Sequence, residues 1–553
     1  MRRKTWLMLV AALIAVFTLA AAGCGGDDDD AAQGDTSGTD TGGAAPEQVL
    51  TIAWGAEPPS LDPGKATDTT STNVINALMD GLVKLNPDTL EPEPNLAESW
   101  EVDGSTVTFN LRDDATWTNG DPVTAQDFVY SWKRTLSPEL AADYAYQLYG
   151  ITGAAEYNGC TEGDCQKLAD AVGVTAVDDH TLQVELTSEQ PWFLGQVSHH
   201  SFLPVHQATV EEFGDNWTDP ANIVTNGPFM LESWEHEAAI NLVKNPDWRD
   251  ADSVTLERID GPIIVDGTTR VQAFEAGEVD ALDGAGLPPE EVERLKTEPY
   301  YDQYPSLGTY YYGFNVENIG LDQRKAMSLA INRKIITDEI DRTGRSQATG
   351  MTPEGIKGFD VINPNSPWLP AEGDMTAAQE AFAAEPNPDT KVNLFHNDAP
   401  GHKEIAVAVQ DMWKELGIET TIKAQEWAQY LEFLGPPPNK AVDAYRLGWI
   451  YDFPDAINGL ELFTCDSGNN NTNWCNEEYD AVVEEAKQTV DDEARYELYR
   501  QLEGIMFDED GDVPITPIMW YTYPNLENDA VRDTFFISPL DQIDFTKVVV
   551  AGG

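Results

Sequence analysis

Residues 392–422 read VNLFHNDAPGHKEIAVAVQDMWKELGIETTI, and this stretch decides the fold class. It opens with a strand-like segment that contains Val392, Leu394 and Phe395. Apolar residues then recur at helical spacing: Ile405, Val409, Met412 and Leu416. Gly417 ends that pattern, and the strand-like residues 420–422 follow. The order strand, helix, strand predicts a parallel βαβ unit, and hence a mixed α/β protein.

Other segments on both sides of this unit support the mixed α/β class. Apolar and polar residues alternate in 106–111, which predicts a half-buried strand. Thr124 begins a predicted helix, with Asp127 at the third helical position as in a capping box. Residues 49–54 and 442–450 also have the composition of strands.

Length and composition indicate a globular protein with more than one core. The chain has 553 residues, 41% of them hydrophobic, and includes 15 tryptophans, which predicts two or three domains or lobes. It carries 96 acidic against 33 basic residues, a net charge of −63. Because such a surface repels phosphate groups, we expect no nucleic-acid partner and no binding to anionic lipid.

The first 23 residues have the features of an export signal. Arg2, Arg3 and Lys4 precede a short apolar run that ends in small residues. Cys24 follows directly, in a pattern that resembles the lipobox of bacterial lipoproteins, in which this cysteine is lipidated. The alternative is an ordinary secretory signal with a chance cysteine. Residues 24–47, rich in Asp, Gly, Ser and Thr, are predicted to be a disordered linker.

The remaining four cysteines lie in two local groups. Cys160 and Cys165 are five residues apart, and Cys465 and Cys475 are ten apart. Four cysteines allow three pairings, and export together with short spacing favours the two local disulfides. A four-cysteine zinc site is the alternative, but neither group has the tight C-x₂-C spacing.

The sequence offers no positive case for catalysis or for a cofactor. It lacks a G-x-S-x-G elbow and a P-loop. His199, His200 and His206 form the one group with potential metal ligands, although surface or packing roles are more common for such residues. We therefore predict a non-enzymatic protein without a metal.

Aromatic residues cluster beside polar groups in the second half of the chain. The clusters are Tyr310-Tyr311-Tyr312, Trp427, Trp449 to Asp452, and Trp520-Tyr521. Core packing is the ordinary explanation of each aromatic residue, and a ligand cleft is the alternative, since Tyr and Trp combine contact area with a polar tip.

Several sequence motifs resemble the extracytoplasmic peptide-binding proteins of ABC importers, solute-binding family 5. In the first part of the chain these motifs are SLDP at 60–63, LAESW at 96–100, TFNLR at 108–112, GDPVTA at 120–125 and DFVYSWKR at 127–134. Further on they are PANIVTNGP at 220–228, NPDW at 245–248, YYYGFN at 310–315, QEW at 425–427 and GW at 448–449. The match spans nearly all of the chain after the export signal.

This resemblance implies a two-lobed, periplasmic-binding-protein-like clamp with an extra subdomain on the first lobe. The implied segments are 48–92, 218–308 and 515–553 for lobe one, 93–217 for the subdomain, and 309–514 for lobe two. The chain is expected to cross between the lobes near 308–312 and near 514–517. Ligand closes such a clamp by a hinge motion.

The resemblance also implies the ligand contacts at the peptide's amino end. Asp452 is expected to pair with the amino group, with Asp455 as the fallback and a turn-capping role before Pro454 as the structural alternative. Two segments are expected to hold the peptide backbone like an added strand: Thr67, Asp68 and Thr69, and Gly448, Trp449 and Ile450.

At the peptide's carboxyl end the implied partners are His402 and Arg446, which otherwise serve as a helix-terminal residue and as the partner of a neighbouring acid. Trp427 and Tyr311 complete the predicted ligand-binding set. Cys465 and Cys475 also resemble a pair found in dipeptide binders.

The predicted function is a lipid-anchored receptor on the outer face of the cell membrane. It would capture oligopeptides or dipeptides and deliver them to the permease of an ABC importer. One alternative is the same scaffold with another solute, such as a nickel chelate, a sugar or an opine. Another is a secreted metal-dependent enzyme that uses the histidine group.

Overall fold

The structure is a computed structural model that describes residues 47–284, 286–363, 369–399, 401–435 and 438–551. The predicted export signal, Cys24 and all but the last residue of the predicted linker lie outside these ranges. Across the described part of the chain, no helix has both the length and the apolar character needed to cross a membrane.

The described residues contain seventeen strands. They are β1 Val49–Ala53, β2 Val83–Leu85, β3 Pro92–Pro94, β4 Ala97–Asp103, β5 Thr106–Leu111, β6 Val174–Asp178, β7 Thr181–Glu185, β8 Phe229–Glu235, β9 Ala239–Lys244, β10 Arg258–Pro262, β11 Ala281–Leu282, β12 Tyr301–Phe314, β13 Ser346–Gln347, β14 Lys391–Asn397, β15 Glu419–Gln425, β16 Ala444–Ile450 and β17 Ile515–Leu526.

The same residues contain seventeen α-helices, some of a single turn. They are α1 Thr69–Leu78, α2 Ala125–Thr135, α3 Ala154–Asn158, α4 Cys165–Asp170, α5 Phe193–Gln196, α6 Gln207–Phe213, α7 Gly267–Glu275, α8 Pro289–Leu295, α9 Leu321–Leu329, α10 Arg333–Ile335, α11 Phe359–Ile362, α12 Met375–Ala384, α13 His402–Lys414, α14 Trp427–Leu434, α15 Ile457–Leu460, α16 Glu477–Lys487 and α17 Asp492–Phe507.

The βαβ unit predicted from residues 392–422 is confirmed. Strands β14 and β15 are parallel and are joined by α13, whose Ile405, Val409 and Trp413 are buried. The predicted capping box is also present, since Thr124 caps α2 with Asp127 at the third position. Two boundaries differ from the prediction: β1 ends at Ala53, before Trp54, and β16 begins at Ala444.

The unit belongs to a six-stranded mixed sheet in the order β13-β17-β12-β16-β14-β15. Successive residues of β12 enter different cores: Tyr310 and Tyr312 pack with Trp413 and its neighbours, whereas Tyr311 packs on the opposite side with Tyr445. The aromatic run is therefore continuous because this central strand is buried on both faces.

The described residues form three further sheets, of which the smallest is the two-stranded pair β2-β3. A five-stranded sheet in the order β11-β1-β10-β9-β8 combines strands from the first two of the three predicted parts of lobe one, 48–92 and 218–308. A four-stranded antiparallel sheet, β4-β5-β7-β6, has its own core around Phe109, Phe128 and Trp132. The result is a two-lobed α/β clamp with an additional subdomain on the first lobe.

Strands β12 and β17 connect the lobes. Their first-lobe halves place Tyr304 and Tyr523 in the core of the five-stranded sheet, and their second-lobe halves place Tyr310 and Met519 in the other core. The pairing register shifts between Pro305 and Thr309, which marks a local irregularity between the two halves. Because residues 515–520 pair within the second-lobe sheet, we place the return to lobe one near 521, later than the predicted 515.

Both local disulfides are present in the structure. Cys160 is bonded to Cys165 in the subdomain, and Cys465 is bonded to Cys475 in the second lobe. The second bridge closes the segment that follows Asp452, and the backbone N–H of Cys465 donates to the Asp480 carboxylate at 3.1 Å.

Candidate functional site

Asp452 lies where the second lobe meets the subdomain of the first, just beyond the end of β16. Its side chain is 8% exposed. One carboxylate oxygen, Oδ2, accepts from the Asn458 side chain at 3.0 Å and from the Gln147 side chain of the subdomain at 2.5 Å. The other oxygen, Oδ1, faces Nε2 of His199 at 3.5 Å, which is too long for a good hydrogen bond. Oδ1 therefore retains the capacity to accept.

The charge on Asp452 is not compensated inside the protein. Burial, together with the nearby charge of Glu461, raises the pKa of Asp452 to about 7. Burial also lowers the pKa of His199 well below its usual value, so this imidazole is neutral near pH 7. Within the described residues no lysine or arginine lies within ion-pair distance of Asp452. A buried carboxylate without a countercharge is costly, and an arriving cation offsets that cost.

Asp455, the fallback acid, has a different environment. Its Oδ1 accepts from the Tyr499 hydroxyl at 2.7 Å and from the backbone N–H of Ile457 at 3.0 Å. The Arg495 guanidinium lies 3.8 Å from its other oxygen. Asp455 therefore has structural partners within its own lobe, and Asp452 remains the better candidate for a ligand.

Two tyrosines and one histidine of the first lobe lie close to Asp452. The ring of Tyr144 lies 5.1 Å from that of His199, 5.7 Å from that of His200 and 5.7 Å from that of Tyr146. Burial and the charge of Asp452 raise the pKa of both tyrosines well above the usual value. Electron-rich ring faces beside a carboxylate favour an ammonium group.

Sequence reasoning missed Tyr144, Tyr146, Gln147 and Asn458. Their local sequence has no motif that distinguishes them from packing residues, and the tertiary structure alone brings them to Asp452. Sequence reasoning also considered His199, His200 and His206 as potential metal ligands. His200 instead contacts the Ala66 carbonyl oxygen at 3.0 Å. No cluster of metal-ligating side chains occurs in the parts of the chain that the structure describes.

The predicted backbone segment 448–450 forms the end of β16 and has an unpaired edge. On one side Gly448, Trp449 and Ile450 pair with β12, and on the other side pairing with β14 stops at 445. The N–H of Tyr451 donates to the Leu307 carbonyl of β12. Since bonding direction alternates along an antiparallel strand, the N–H and C=O groups of Gly448 and Ile450 point to the open edge. That edge can pair with an added strand.

The predicted segment 67–69 differs in part from its expected form. Thr67 is exposed in a loop, and Asp68 is extended but caps α1, with its carboxylate accepting from the N–H of Ser71 at 3.0 Å. Thr69 is already the first residue of the helix. Only Thr67 and Asp68 therefore have backbone that could align with a strand.

Aromatic and polar side chains surround Arg446 within the second lobe. The Arg446 guanidinium lies 4.4 Å from the centre of the Tyr310 ring and donates to the Asn397 side chain at 3.1 Å and to the Tyr521 hydroxyl at 2.6 Å. Its Nε has no partner. Arg446 is 8% exposed and makes no ion pair with the acids that the structure describes. The alternative role, pairing with a neighbouring acid, is therefore not seen.

His402 begins α13 beside this group, with its ring 5.6 Å from that of Tyr310. Burial, Arg446 and other nearby cationic groups lower the pKa of His402 well below its usual value. A buried guanidinium without an acidic partner among the described residues is suited to a carboxylate.

The last two predicted ligand contacts, Tyr311 and Trp427, differ in their surroundings and in their exposure. Tyr311 is 2% exposed and packs against Phe463, with ring centres 6.1 Å apart, which favours a core role. Trp427 is the first residue of α14 and is 41% exposed.

Comparison with known proteins supports a common architecture. The chain is 35% identical over 553 residues to the oligopeptide-binding protein OppA of Bacillus subtilis, and the match covers 96% of each chain. The solved structure of the Escherichia coli murein tripeptide binding protein MppA superposes with a TM-score of 0.81 at 30% identity, covering 92% of this chain and 99% of that one. Haemophilus influenzae OppA in complex with RPPGFSPFR gives the same TM-score, identity and coverage.

A second MppA structure indicates how the lobes are arranged here. The form described as unliganded and open gives a TM-score of only 0.69 at the same identity and coverage of this chain. The lobes of this protein are therefore arranged more like the first MppA structure than like the open form. This agrees with the contacts of Gln147 and His199 across the lobe boundary.

The profile of the bacterial extracellular solute-binding proteins, family 5, matches residues 91–471. That range includes the subdomain, the open edge of β16, Arg446 and Asp452. The family consists of binding proteins, in line with the expected non-enzymatic function. With this match and the near full-length similarity to its members, the chain belongs to the bacterial extracellular solute-binding proteins, family 5.

Proposed function

We propose that this protein is an extracytoplasmic receptor that binds peptides between its lobes and delivers them to an ABC importer. The observation that carries the proposal is Asp452, a buried carboxylate at the lobe boundary with a free acceptor position and no cationic partner among the described residues. The ammonium group at the amino end of a peptide supplies the missing charge.

A positive charge, that of Arg446, lies at the other end of the segment that leads to Asp452. Arg446 precedes Asp452 by six residues, and its guanidinium has no acidic partner among the described residues. A peptide that runs along the open edge of β16 would bring its amino group to Asp452 and its carboxylate towards Arg446 and His402. Its backbone would pair with Gly448 and Ile450, which makes recognition largely independent of side chains.

The named relatives favour peptides over other solutes. The Bacillus relative is described as oligopeptide-binding, and one of the matching structures holds a peptide. By the same analogy, the partners of this protein are the permease and ATPase subunits of an ABC importer.

We further propose that Cys24 carries a lipid that anchors the protein to the outer face of the cell membrane. The support is the sequence pattern of residues 1–24. Expression with a clickable palmitate analogue should label the wild-type protein and not a Cys24→Ala variant. Secretion of unlabelled wild-type protein would contradict the anchor without affecting the binding proposal.

Peptide binding is tested with purified protein and short peptides of two to five residues. Calorimetry should show saturable binding, thermal unfolding should shift upward, and mass spectrometry should recover the peptides intact. A matched set with acetylated amino ends should bind weakly. Stabilisation by nickel chelates or sugars, with none by any peptide, would reject the proposal in favour of another solute.

A further inference from the structure

A second buried acid without a countercharge lies on the first-lobe side of the hinge. Asp541 is 6% exposed, and its Oδ1 has no hydrogen-bond partner among the described residues. Its backbone is fixed, because its carbonyl oxygen accepts from the Asn73 side chain of α1 at 2.9 Å. The burial of this carboxylate, with Asp283 nearby, raises its pKa well above the usual value.

Two hydroxyl groups beside Asp541 are equally enclosed. Tyr523 is 6% exposed and Ser306 is 5% exposed, and neither hydroxyl has a partner in the described structure. A methyl group placed on Gly284 would lie 3.4 Å from Oδ1 of Asp541 and 3.9 Å from Cβ of Tyr523. Both side chains therefore lie close to Gly284. Ser306 and Asp541 are both close enough to influence the pKa of Tyr523.

The nearest basic residues have other partners. The Arg270 guanidinium donates to Asp283 at 2.8 Å, and both of these side chains are 4% exposed. On the second-lobe side, Arg345 pairs with Asp341 at 2.8 Å. Asp541 therefore lacks a cation, while native proteins leave few buried polar groups unpaired.

The position of the cluster connects it to the ligand cleft. Ser306 lies in the register shift of β12 and Tyr523 on the paired strand β17, where the chain passes between the lobes. Leu307, next to Ser306, donates its N–H to Pro539 at 2.7 Å, and its carbonyl accepts from Tyr451, the neighbour of Asp452. The cluster thus lies at the hinge, next to the segment that holds the proposed ligand.

We propose that Asp541, Tyr523 and Ser306 form a subsite for the cationic side chain, lysine or arginine, of a bound peptide. The Asp541 carboxylate and the two hydroxyl oxygens of this buried region provide acceptors for an ammonium or guanidinium group and disfavour an anionic side chain. This inference rests on the proposed peptide-binding function and adds a preference for one class of peptide.

The test is a lysine scan of short alanine peptides against matched peptides with norleucine, which has the same length without the charge. Calorimetry on the wild-type protein should show one position at which lysine binds at least about tenfold more tightly than norleucine. Asp541→Asn should reduce that ratio to about threefold or less and keep the affinity for the norleucine peptide. Because Asp541 has a φ of 58°, which asparagine tolerates, the variant is expected to fold.

Two controls make the result specific. Asp544→Asn removes a charge from the same segment and should keep the full lysine preference, whereas Tyr523→Phe should lower it without changing the norleucine peptide. Wild-type protein that binds norleucine peptides but shows no lysine preference at any position would overturn the subsite and leave the proposed function standing. A preference that survives in Asp541→Asn would also overturn it.

A metal ion is the competing occupant of such a cluster. Calcium, sodium or potassium chloride added to peptide-free protein should raise the melting temperature of wild-type and Asp541→Asn protein equally. Stabilisation that is lost in Asp541→Asn would assign an inorganic cation to the site and overturn the proposal.

Discussion

Replacing Asp452 by asparagine separates the ligand role of this residue from a structural role. In the peptide-free protein, burial raises the pKa of Asp452 from 3.8 to about 7. A shift of about 3 units corresponds to about 4 kcal/mol of cost for the ionised form. Since this folded-state pKa lies above the unfolded value, its stabilising contribution is complete below about pH 4 and is lost as the pH rises to about 7.

The Asp452→Asn variant should therefore be at least as stable as the wild type near pH 8 without peptide. Its amide oxygen can still accept from Gln147 and Asn458, which now contact the carboxylate. Its affinity for peptides with a free amino group should fall by about 2–5 kcal/mol, or roughly 30-fold or more, because a buried ammonium loses its partner. Acetylated peptides should bind the two proteins with similar affinity.

The assay is calorimetry with a free and an acetylated form of one peptide, for wild type and variant, together with thermal unfolding of both proteins. Asp455→Asn is the matched control. It removes an equally enclosed acid three residues away, but one that pairs with Tyr499 and Arg495, so it should lower stability and keep peptide affinity. Unchanged affinity of Asp452→Asn for the free peptide would refute the reasoning, as would a loss of affinity in Asp455→Asn alone.

Three further predictions concern the pH dependence of binding, the role of Arg446 and the Cys465–Cys475 disulfide. Peptide affinity should rise with pH by up to about tenfold per unit between pH 5 and 7, because only ionised Asp452 attracts the ammonium group. It should fall again above about pH 8, where the amino group of the peptide loses its proton. Calorimetry at constant ionic strength measures this profile, and a flat profile contradicts it. Arg446→Gln should weaken peptides with a free carboxylate by about 2–5 kcal/mol and leave amidated peptides nearly unaffected, since the buried guanidinium makes no ion pair inside the described protein; equal losses for both forms would assign Arg446 a packing role. Replacing Cys465 and Cys475 by serine should lower the free energy of unfolding by about 2–4 kcal/mol in denaturant titrations, because the bridge restricts the unfolded chain; wild-type protein with free thiols at these positions would contradict the pairing.

The local features of the fold could be predicted from the sequence because each depends on neighbours along the chain. The spacing of Ile405 and Val409 predicts helix α13, and the alternation of apolar and polar residues in 106–111 predicts strand β5. The Thr124–Asp127 pair shows where α2 begins. Export and short spacing predicted the two local disulfides, and the resemblance in motifs added the two-lobed arrangement and the candidate ligand contacts Asp452 and Arg446.

The way in which β12 and β17 pass between the lobes could not be predicted from neighbours along the chain. Tyr310, Tyr311 and Tyr312 have one composition but alternate between two cores, since the pairing of β12 with β16 and β17 sets the faces. The same pairing places residues 515–520 in the second-lobe sheet, whereas the resemblance implied that lobe one resumes at residue 515.

By itself, the sequence determined the α/β class and the family and singled out Asp452 as a candidate partner for the amino group of a ligand, because periodicity and motifs are properties of the chain. Only the tertiary structure decided which groups face that acid. Gln147 and His199 lie some 300 and 250 residues before Asp452, and Asp541 and Tyr523 approach each other at Gly284 only in the folded chain. Whether a buried charge is compensated depends on such distant neighbours, because electrostatic energy in a poorly solvated site is fixed by proximity in space.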